Sequence, residues 1–187
     1  MKVITFYSDE RKLIKRAARG EREAQRQLYD QFAPKMLSVC RRYLPVLTQA
    51  EEAMCNGFLK VFLNLKSFRN EGSFEGWIRR IMVRESISYL RTQKKIYFVE
   101  DGLEKVEAPY ASAHSELDVE YIQVLIDGLP EGYRMVFVMY AIEGYKHREI
   151  AEELGISEST SKSQLFKARA LLQKQLNEQN NRTYGTD

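Results

Sequence analysis

Apolar residues recur at spacings of three and four along most of this chain, which is the period of amphipathic α-helices. The pattern predicts two helices within residues 9–43, further helices over 48–67, 74–95, 117–129 and 134–142, and two short helices within 144–175. Gly20 is expected to close the first helix, and Pro34 is expected to kink or break the second. The sequence therefore predicts an all-α fold.

The clearest local signals lie between Gly144 and Gln175. Ile150 and Leu154 share one face of a short helix. Gly155 follows at the position where a helix commonly ends in a left-handed residue, a conformation that glycine adopts without strain. Ser157 is then well suited to cap the next helix. Two short helices joined by a tight glycine turn are therefore predicted.

The second of these helices has an apolar stripe and a basic outer face. The stripe consists of Leu165, Ala168 and Leu172, and the opposite face carries Lys162, Ser163, Phe166, Lys167 and Arg169. This arrangement is typical of a helix-turn-helix whose second helix enters the DNA major groove. An ordinary helical hairpin with a solvated charged face is the alternative for this segment taken alone.

The helix predicted over residues 48–67 has more apolar surface than one stripe needs. Thr48 is expected to cap it, with Glu51 completing a capping box. The surplus surface indicates a helix that is either sandwiched in the core or exposes an apolar patch to a partner, and a buried helix is the commoner case.

Aromatic and basic residues alternate between Phe68 and Lys95. Seven basic and three acidic residues from Arg69 to Lys95 give this stretch a local net charge of +4. Aromatic rings stack on unpaired bases while cations hold phosphates, so the composition suits single-stranded nucleic acid. The alternative is that the rings are ordinary core aromatics. That alternative is favoured for Trp77, whereas Phe68 and Phe74 stay open.

Residues 96–116 interrupt the helical pattern with an acidic stretch of local net charge −4. Its glycine, proline and small residues predict a flexible linker between two small helical domains. The predicted division is an N-terminal domain over 1–95, the linker over 96–116, a C-terminal helix-turn-helix domain over 117–176 and a disordered tail over 177–187.

Composition excludes several classes of function. The 187 residues include 29 basic and 26 acidic ones, and a formal net charge of +3 is too small to indicate nucleic-acid binding by itself. No apolar run is long enough to span a bilayer and no signal-peptide core is present, so a cytoplasmic protein without membrane insertion is expected. Cys40 and Cys55 are expected to be reduced. His114 and His147 are isolated, so we expect no metal site.

We also expect no cofactor and no catalytic residue, because the chain contains no P-loop, no metal-ligand cluster and no nucleophile with a placed base. A protein that binds nucleic acid without catalysing a reaction on it fits these absences.

Five motifs in order resemble a bacterial sigma factor, and most closely the short extracytoplasmic-function (ECF) group. The motifs are LIKRAARGEREAQRQLYDQFAPKM, AEEAMCNGFLKVF, SFRNEGSFEGWIRRI, LPEGYRMVFVMYAIEGY and EIAEELGISESTSKSQLFKAR. The resemblance covers about residues 9–176. It implies a factor that binds core RNA polymerase, recognises promoter DNA and initiates transcription. It also implies an anti-sigma partner, which in this group is often membrane-bound.

The resemblance assigns roles to residues in three places. The surface that docks on core polymerase would include Glu51, Glu52, Phe58, Val61 and Phe62. The −10 element would be melted and held by Phe68, Arg69, Phe74, Trp77, Arg80 and Arg84. The −35 element would be contacted by Arg148, Thr160, Lys162, Ser163, Phe166 and Lys167. The chain departs from the family pattern at Cys55, Asn56, Arg84, Ser88, Ser161 and Gln164, which leaves the promoter sequence undetermined.

Two other classes of function remain open on the residues alone. A stand-alone helix-turn-helix regulator would explain residues 144–175 but not the stretch from Phe68 to Lys95. A nucleic-acid enzyme such as a recombinase would need clustered carboxylates. Glu51 and Glu52 are adjacent and point in different directions on a helix, so they make a poor metal pair.

Overall fold

The structure is a computed structural model that describes residues 3–93 and 119–184, with side chains described over 10–93 and 121–178. In chain order, its helices are α1 (Val3–Ala18), α2 (Arg22–Tyr43), α3 (Leu47–Asn64), α4 (Phe74–Thr92), α5 (Val119–Asp127), α6 (Glu131–Phe137), a π-helix (Val138–Ile142), α7 (His147–Leu154) and α8 (Glu158–Tyr184). A 3₁₀ turn, Leu65–Ser67, follows α3. The described part of the chain is helical throughout its regular elements, which confirms the predicted all-α fold.

The chain divides into two compact units, Met1–Tyr89 and Leu90–Asp187. Two helical bodies were expected, and the predicted linker over 96–116 lies outside the described residues. No helix in the described ranges combines the length and the apolar character needed to cross a membrane.

Helix α2 packs one continuous apolar face into the core of the first unit. Its buried residues recur at helical spacing: Ala24, Leu28, Phe32, Met36, Val39, Cys40 and Tyr43. Pro34 lies on the exposed side of this helix, and α2 continues past it to Tyr43. Of the kink or break expected at Pro34, the break is therefore wrong, because buried residues before and after it keep the same face in the core.

Helix α3 begins differently from the prediction. Val46 occupies the N-cap position and its side chain makes no capping hydrogen bond, while its carbonyl accepts from the Gln49 and Ala50 amides at 3.1 Å each. Thr48 is thus already inside the helix, and the predicted capping box of Thr48 and Glu51 does not form. The chain enters α3 directly from Pro45, so the helix starts before the threonine.

Helices α3 and α4 approach closely at Gly57. A Cβ atom added there would lie 2.4 Å from Sδ of Met82, which is itself fully buried. Glycine at this position therefore sets the distance between the two helices.

We expect Gly57→Val to destabilise the first unit by about 1–3 kcal/mol, the usual cost of overpacking a well-filled core. Urea unfolding followed by circular dichroism measures this loss. Asn56→Val is the matched control, because Asn56 is exposed on the same helix. Equal losses at the two positions would mean that the cost comes from a β-branched residue in a helix and not from the contact with Met82.

A tight turn leads into α4 as the sequence predicted. Asn70 and Gly72 both have positive φ angles, 59° and 98°. The Ser73 hydroxyl then accepts a hydrogen bond from the Gly76 amide at 3.1 Å. This bond satisfies one of the amides left open at the beginning of α4.

In the second unit, a buried arginine joins α5 to α6. Nη1 of Arg134 donates hydrogen bonds to the carbonyl oxygens of Asp127 at 3.1 Å and Leu129 at 3.3 Å. Burial lowers the pKa of Arg134, although the nearby Glu131 and Asp127 oppose this effect. A cation interacts favourably with the carbonyl groups at a helix C-terminus. These two hydrogen bonds therefore stabilise the turn between α5 and α6.

The helix-turn-helix forms at the predicted residues. Gly155 adopts a left-handed conformation with φ 69° at the end of α7. The Ser157 hydroxyl accepts from the Thr160 amide at 3.0 Å and so caps α8. Buried Ile150 and Leu154 on α7, and Leu165 and Ala168 on α8, supply the apolar faces that the sequence indicated.

Helix α8 is longer than predicted. It continues to Tyr184, through residues 177–184 that were assigned to a disordered tail. The segment contains no proline or glycine before Gly185, and Lys174 lies 3.8 Å from Glu178 one turn later. Polar composition alone is therefore compatible with a helix here.

Candidate nucleic-acid interfaces

The outer face of α8 presents the side chains that were predicted to contact the −35 element. Lys162, Ser163 and Phe166 are exposed, and Phe166 reaches 74% of its full accessible surface. Lys167 and Thr160 are partly exposed. These positions share one side of the helix, since at 100° per residue they fall within an arc of about 160°.

Arg148 lies on α7 and is also exposed. Its Nε atom is 3.3 Å from Oε1 of Glu152 one turn later. An exposed pair of this kind contributes little to stability, so the guanidinium can exchange this partner for a phosphate.

Two departures from the family pattern lie on the inner face of α8. Ser161 and Gln164 are 0% and 1% exposed. They face the interior of the unit and not the solvent, so they affect how α8 is seated.

The sequence analysis missed the role of His147. Its Nδ1 atom lies 2.9 Å from Oγ of Ser161, and its ring stacks on Tyr140 with 4.6 Å between ring centroids. Burial and the charge of Lys162 lower the pKa of His147. Nothing in the local pattern predicts this contact, because the two partners are 14 residues apart on different helices.

In the first unit, the stretch before and within α4 forms an aromatic cluster. Phe68 lies 5.1 Å from Phe74 and 5.5 Å from Trp77, measured between ring centroids. Phe74 also contacts Phe32 of α2 at 5.5 Å and is only 2% exposed. Phe74 is therefore a core residue that supports the cluster, and it is not available for direct DNA contact as predicted. Phe68 and Trp77 remain partly exposed.

The arginines predicted for this surface are all exposed. Arg80 and Arg84 follow Trp77 at spacings of three and seven, which places the three side chains on one face of α4. Arg69 directly follows Phe68, before the beginning of α4. Partly exposed rings next to cations are what an unpaired DNA strand requires.

The predicted polymerase-binding helix needs a correction. Phe58 and Val61 are 2% and 1% exposed, and Phe58 packs on Tyr29 at 4.7 Å between ring centroids. These two residues belong to the core because they lie on the face of α3 that meets α2. Of the other predicted residues, Glu51 and Glu52 are exposed, and Phe62 is partly exposed.

Two exposed leucines in the second half of α3 were not included in the prediction. Leu59 is 59% exposed and Leu63 is 73% exposed. With Glu52, Cys55 and Asn56 they lie on one side of the helix. We call these five residues the α3 outer face. The surplus of apolar residues indicated that α3 exposes apolar side chains, but it did not show which face is exposed and which is buried.

The two cysteines differ in environment. Both are free, Cys40 is buried and Cys55 is exposed. Burial raises the pKa of Cys40 to about 11, despite a hydrogen bond with Ser86 that lowers it. The described residues contain no group of side chains suited to hold a metal ion.

We expect a thiol reagent to modify Cys55 at least about a hundredfold faster than Cys40 near pH 8, because the thiolate reacts and Cys40 is neutral at that pH. Mass spectrometry of the alkylated, folded chain measures the two rates. Urea should equalise them. Comparable rates in the folded protein would show that Cys40 is not buried.

The second unit defines a helix-turn-helix DNA-binding protein, and the first adds an aromatic and basic surface to it. Family models agree with both parts: Sigma-70 region 2 matches residues 28–96, and Sigma-70 region 4 matches residues 119–172.

Individual proteins show the same similarity along nearly the whole chain. The ECF RNA polymerase sigma factor SigW of Bacillus subtilis is 28% identical over 179 residues, which cover 89% of this chain and 96% of that protein. The ECF RNA polymerase sigma-E factor of Haemophilus influenzae is 24% identical over 177 residues, with 88% and 93% covered.

Two solved structures have a similar fold. CnrH, determined in complex with the cytosolic domain of CnrY, gives a TM-score of 0.51 at 22% identity and covers 90% of this chain and 97% of its own. The sigma factor RpoE of Bartonella quintana, determined with the anti-sigma factor NepR, gives 0.54 at 19% identity, with 81% and 96% covered.

The chain therefore belongs to the sigma-70 family, as an ECF sigma factor. It acts in promoter recognition and transcription initiation by RNA polymerase. This result disfavours a stand-alone regulator and a recombinase.

Proposed function

We propose that this factor has no catalytic activity of its own and acts in the cytoplasm. We also propose that its two units carry out different steps of promoter recognition. In this proposal residues 1–95 bind core polymerase and open the −10 element, the linker over 96–116 connects them, and residues 117–176 read the −35 element. The observation that carries the proposal is that three surfaces of different chemistry lie on separate helices: α3, α4 and α8.

The outer face of α8 is proposed to read bases. Phe166, which is highly exposed, suits contact with a thymine methyl group. Lys162 lies nearer the helix N-terminus, the end that enters the groove, and is assigned a base edge. Lys167, Thr160 and Arg148 are assigned phosphates, which position the helix without specifying sequence. Ser163 lies between the two lysines on the same face.

The cluster at the beginning of α4 is proposed to hold an unpaired base of the −10 element. Phe68 and Trp77 supply partly exposed rings, and the buried ring of Phe74 packs against both of them. Arg69, Arg80 and Arg84 are assigned the phosphates of the opened strand. Stacking on each base contributes about 1–3 kcal/mol.

The α3 outer face is proposed to dock on core polymerase. The leucines in the C-terminal half of this face, with the acidic Glu52 near the beginning of the helix, fit an interface with an apolar part and a charged rim. Glu51 and Phe62, at the edges of this face, extend the predicted contact. Phe58 and Val61 support it from inside.

We also propose that an anti-sigma factor binds this chain. The solved sigma factor RpoE of similar fold is in complex with the anti-sigma factor NepR. A protein with exposed leucines on α3 and an exposed phenylalanine on α8 presents apolar surfaces that such a partner would cover.

The test is reconstitution with core RNA polymerase. The chain should co-purify with core enzyme and direct it to transcribe from a subset of promoters, whereas core alone should not. The isolated chain should bind duplex DNA weakly, because its formal net charge is only +3. Tight, sequence-specific binding by the isolated chain without co-purification would support a stand-alone regulator instead.

A further inference from the structure

A side-chain hydrogen bond joins the beginning of α7 to the beginning of α8. Nδ1 of His147 lies 2.9 Å from Oγ of Ser161, and Ser161 is completely buried. The other contact of the imidazole is with Tyr140 of the π-helix, whose ring is stacked at 4.6 Å with 23° between the planes. One imidazole on α7 therefore contacts both α8 and the π-helix.

A second contact on Tyr140 fixes α8 further along its length. The Arg169 guanidinium lies 5.6 Å from the centroid of the Tyr140 ring, within the range of a cation–π interaction. Tyr140 thus has the imidazole of α7 and a cation of α8 close to its ring. These contacts connect the seating of α8 to the position of His147.

The surroundings of the imidazole favour its neutral form. Burial lowers the pKa of His147 first, and the positive charges of Lys162 and Arg169 lower it further, whereas Glu158 acts in the opposite direction. A neutral imidazole has one donor and one acceptor nitrogen, and either can pair with a serine hydroxyl.

Apolar packing restricts the rotation of α8 about its axis less sharply than a hydrogen bond does. The buried residues of the two helices hold α7 against α8, but such contacts are not directional. A hydrogen bond requires a limited distance and angle. A rotation of about 20° would move the tips of outer side chains by about 2 Å, since they lie about 5–6 Å from the helix axis. That displacement is enough to break a hydrogen bond to a base edge.

We infer that His147 is a positioning residue for −35 recognition: by holding Ser161 it fixes the rotation of α8 and thereby the base edges that Lys162 and Ser163 reach. Lys162 and Ser163 directly follow Ser161, so the anchor is in the same turn as the side chains it directs. This inference rests on the function proposed above for α8.

Three variants separate positioning from simple stability. His147→Phe keeps an aromatic ring against Tyr140 and removes the nitrogen that pairs with Ser161. Ser161→Val removes the buried partner. Either change alone leaves a polar group without its hydrogen bond, which lowers the melting temperature. The double variant His147→Phe/Ser161→Val replaces both partners by apolar groups, so its melting temperature should recover.

The decisive readout is base preference. Reconstituted holoenzyme transcribes from promoters in which each −35 base is varied, and the ratio of the best to the second-best base is measured at each position. We expect all three variants, including the stable double variant, to lose about three- to tenfold of this ratio at one or two positions. His147→Asn, whose amide can place a polar atom near the position of Nδ1, should retain it.

The outcomes that overturn the inference are specific. If the double variant regains base preference together with stability, the pair only stabilises the fold. If none of the variants changes the ratio, α8 is positioned without His147. His114→Phe, the same change at the only other histidine of the chain, is the matched control and should leave the ratio unchanged.

A measurement without promoter DNA separates this inference from the proposed function. The ¹⁵N chemical shifts of the imidazoles in the free chain report the tautomer and the protonation of each histidine. Ser161→Val should shift the His147 signals and leave those of His114 unchanged, and an absence of any shift would show that the hydrogen bond does not form. If wild-type holoenzyme shows no −35 base preference, the proposed function fails and this inference fails with it, even where the imidazole signals respond.

Discussion

Leu59→Asp/Leu63→Asp is expected to abolish co-purification with core RNA polymerase while the chain stays folded. The two leucines are 59% and 73% exposed, so replacing them with aspartate should change the stability of the folded unit little. In a docked complex both would be desolvated, and a buried carboxylate without a partner opposes association strongly. We expect at least about a thirtyfold loss of affinity, which corresponds to about 2 kcal/mol, the threshold of an interface hot spot.

The control for this prediction is Asn64→Asp. Asn64 is exposed on the same helix, but at about 100° from Leu63 around the axis, and its replacement introduces one of the two negative charges that the double variant adds. Its co-purification should match that of the wild type. Circular dichroism checks that helicity is unchanged in each variant. Normal co-purification of the double leucine variant would remove the α3 outer face from the docking surface.

Phe58→Asp would give a misleading result in this experiment. Phe58 is buried against Tyr29, so a charge there unfolds the unit and abolishes every activity together. The structure thus changes which residues of α3 are suitable for testing the proposed interface.

The sequence predicted those elements that have strong local signals. Gly155, Ser157 and the turn at Asn70–Ser73 each combine a conformational preference with an apolar pattern, and the structure confirms all three. A left-handed glycine or a capping serine acts within a few residues, so its effect can be read from neighbours in the chain.

The wrong predictions arise where apolar residues lie on more than one side of a helix. Around Leu59 to Leu65 apolar residues surround the helix, so periodicity alone cannot distinguish the buried Phe58 and Val61 from the exposed Leu59 and Leu63. Which side is buried depends on where α2 lies. That position depends on tertiary packing, which a pattern along one helix does not contain.

The contact between His147 and Ser161 was unpredictable for a related reason. A lone histidine has many possible partners, and the one it has lies across the helix-turn-helix. Conversely, the buried position of Ser161 and Gln164 indicates that the departures from the family pattern there alter the seating of α8, a conclusion that the motif alone does not give.

Promoter opening is expected to slow by about ten- to a hundredfold in Phe68→Ala. The ring of Phe68 is partly exposed and contacts the rings of Phe74 and Trp77. Removing it takes away one stacking surface for an unpaired base, worth about 1–3 kcal/mol. Binding to the −35 element should be unaffected, because α8 makes those contacts. Fluorescence of a base analogue in the −10 element, recorded after mixing with holoenzyme, measures the rate of opening.

Phe74→Ala provides the contrast that identifies the cause. Phe74 is buried and contacts Phe32, Phe68 and Trp77, so its truncation should destabilise the first unit by about 3–5 kcal/mol. A promoter opened beforehand by mismatches at the −10 element removes the need for strand separation. That template should restore transcription by Phe68→Ala holoenzyme, and it should not restore a protein whose first unit is unfolded. If the premelted template fails to rescue Phe68→Ala, and its unfolding curve has moved as far as that of Phe74→Ala, then Phe68 is part of the core and the surface that holds the opened strand must lie elsewhere on α4.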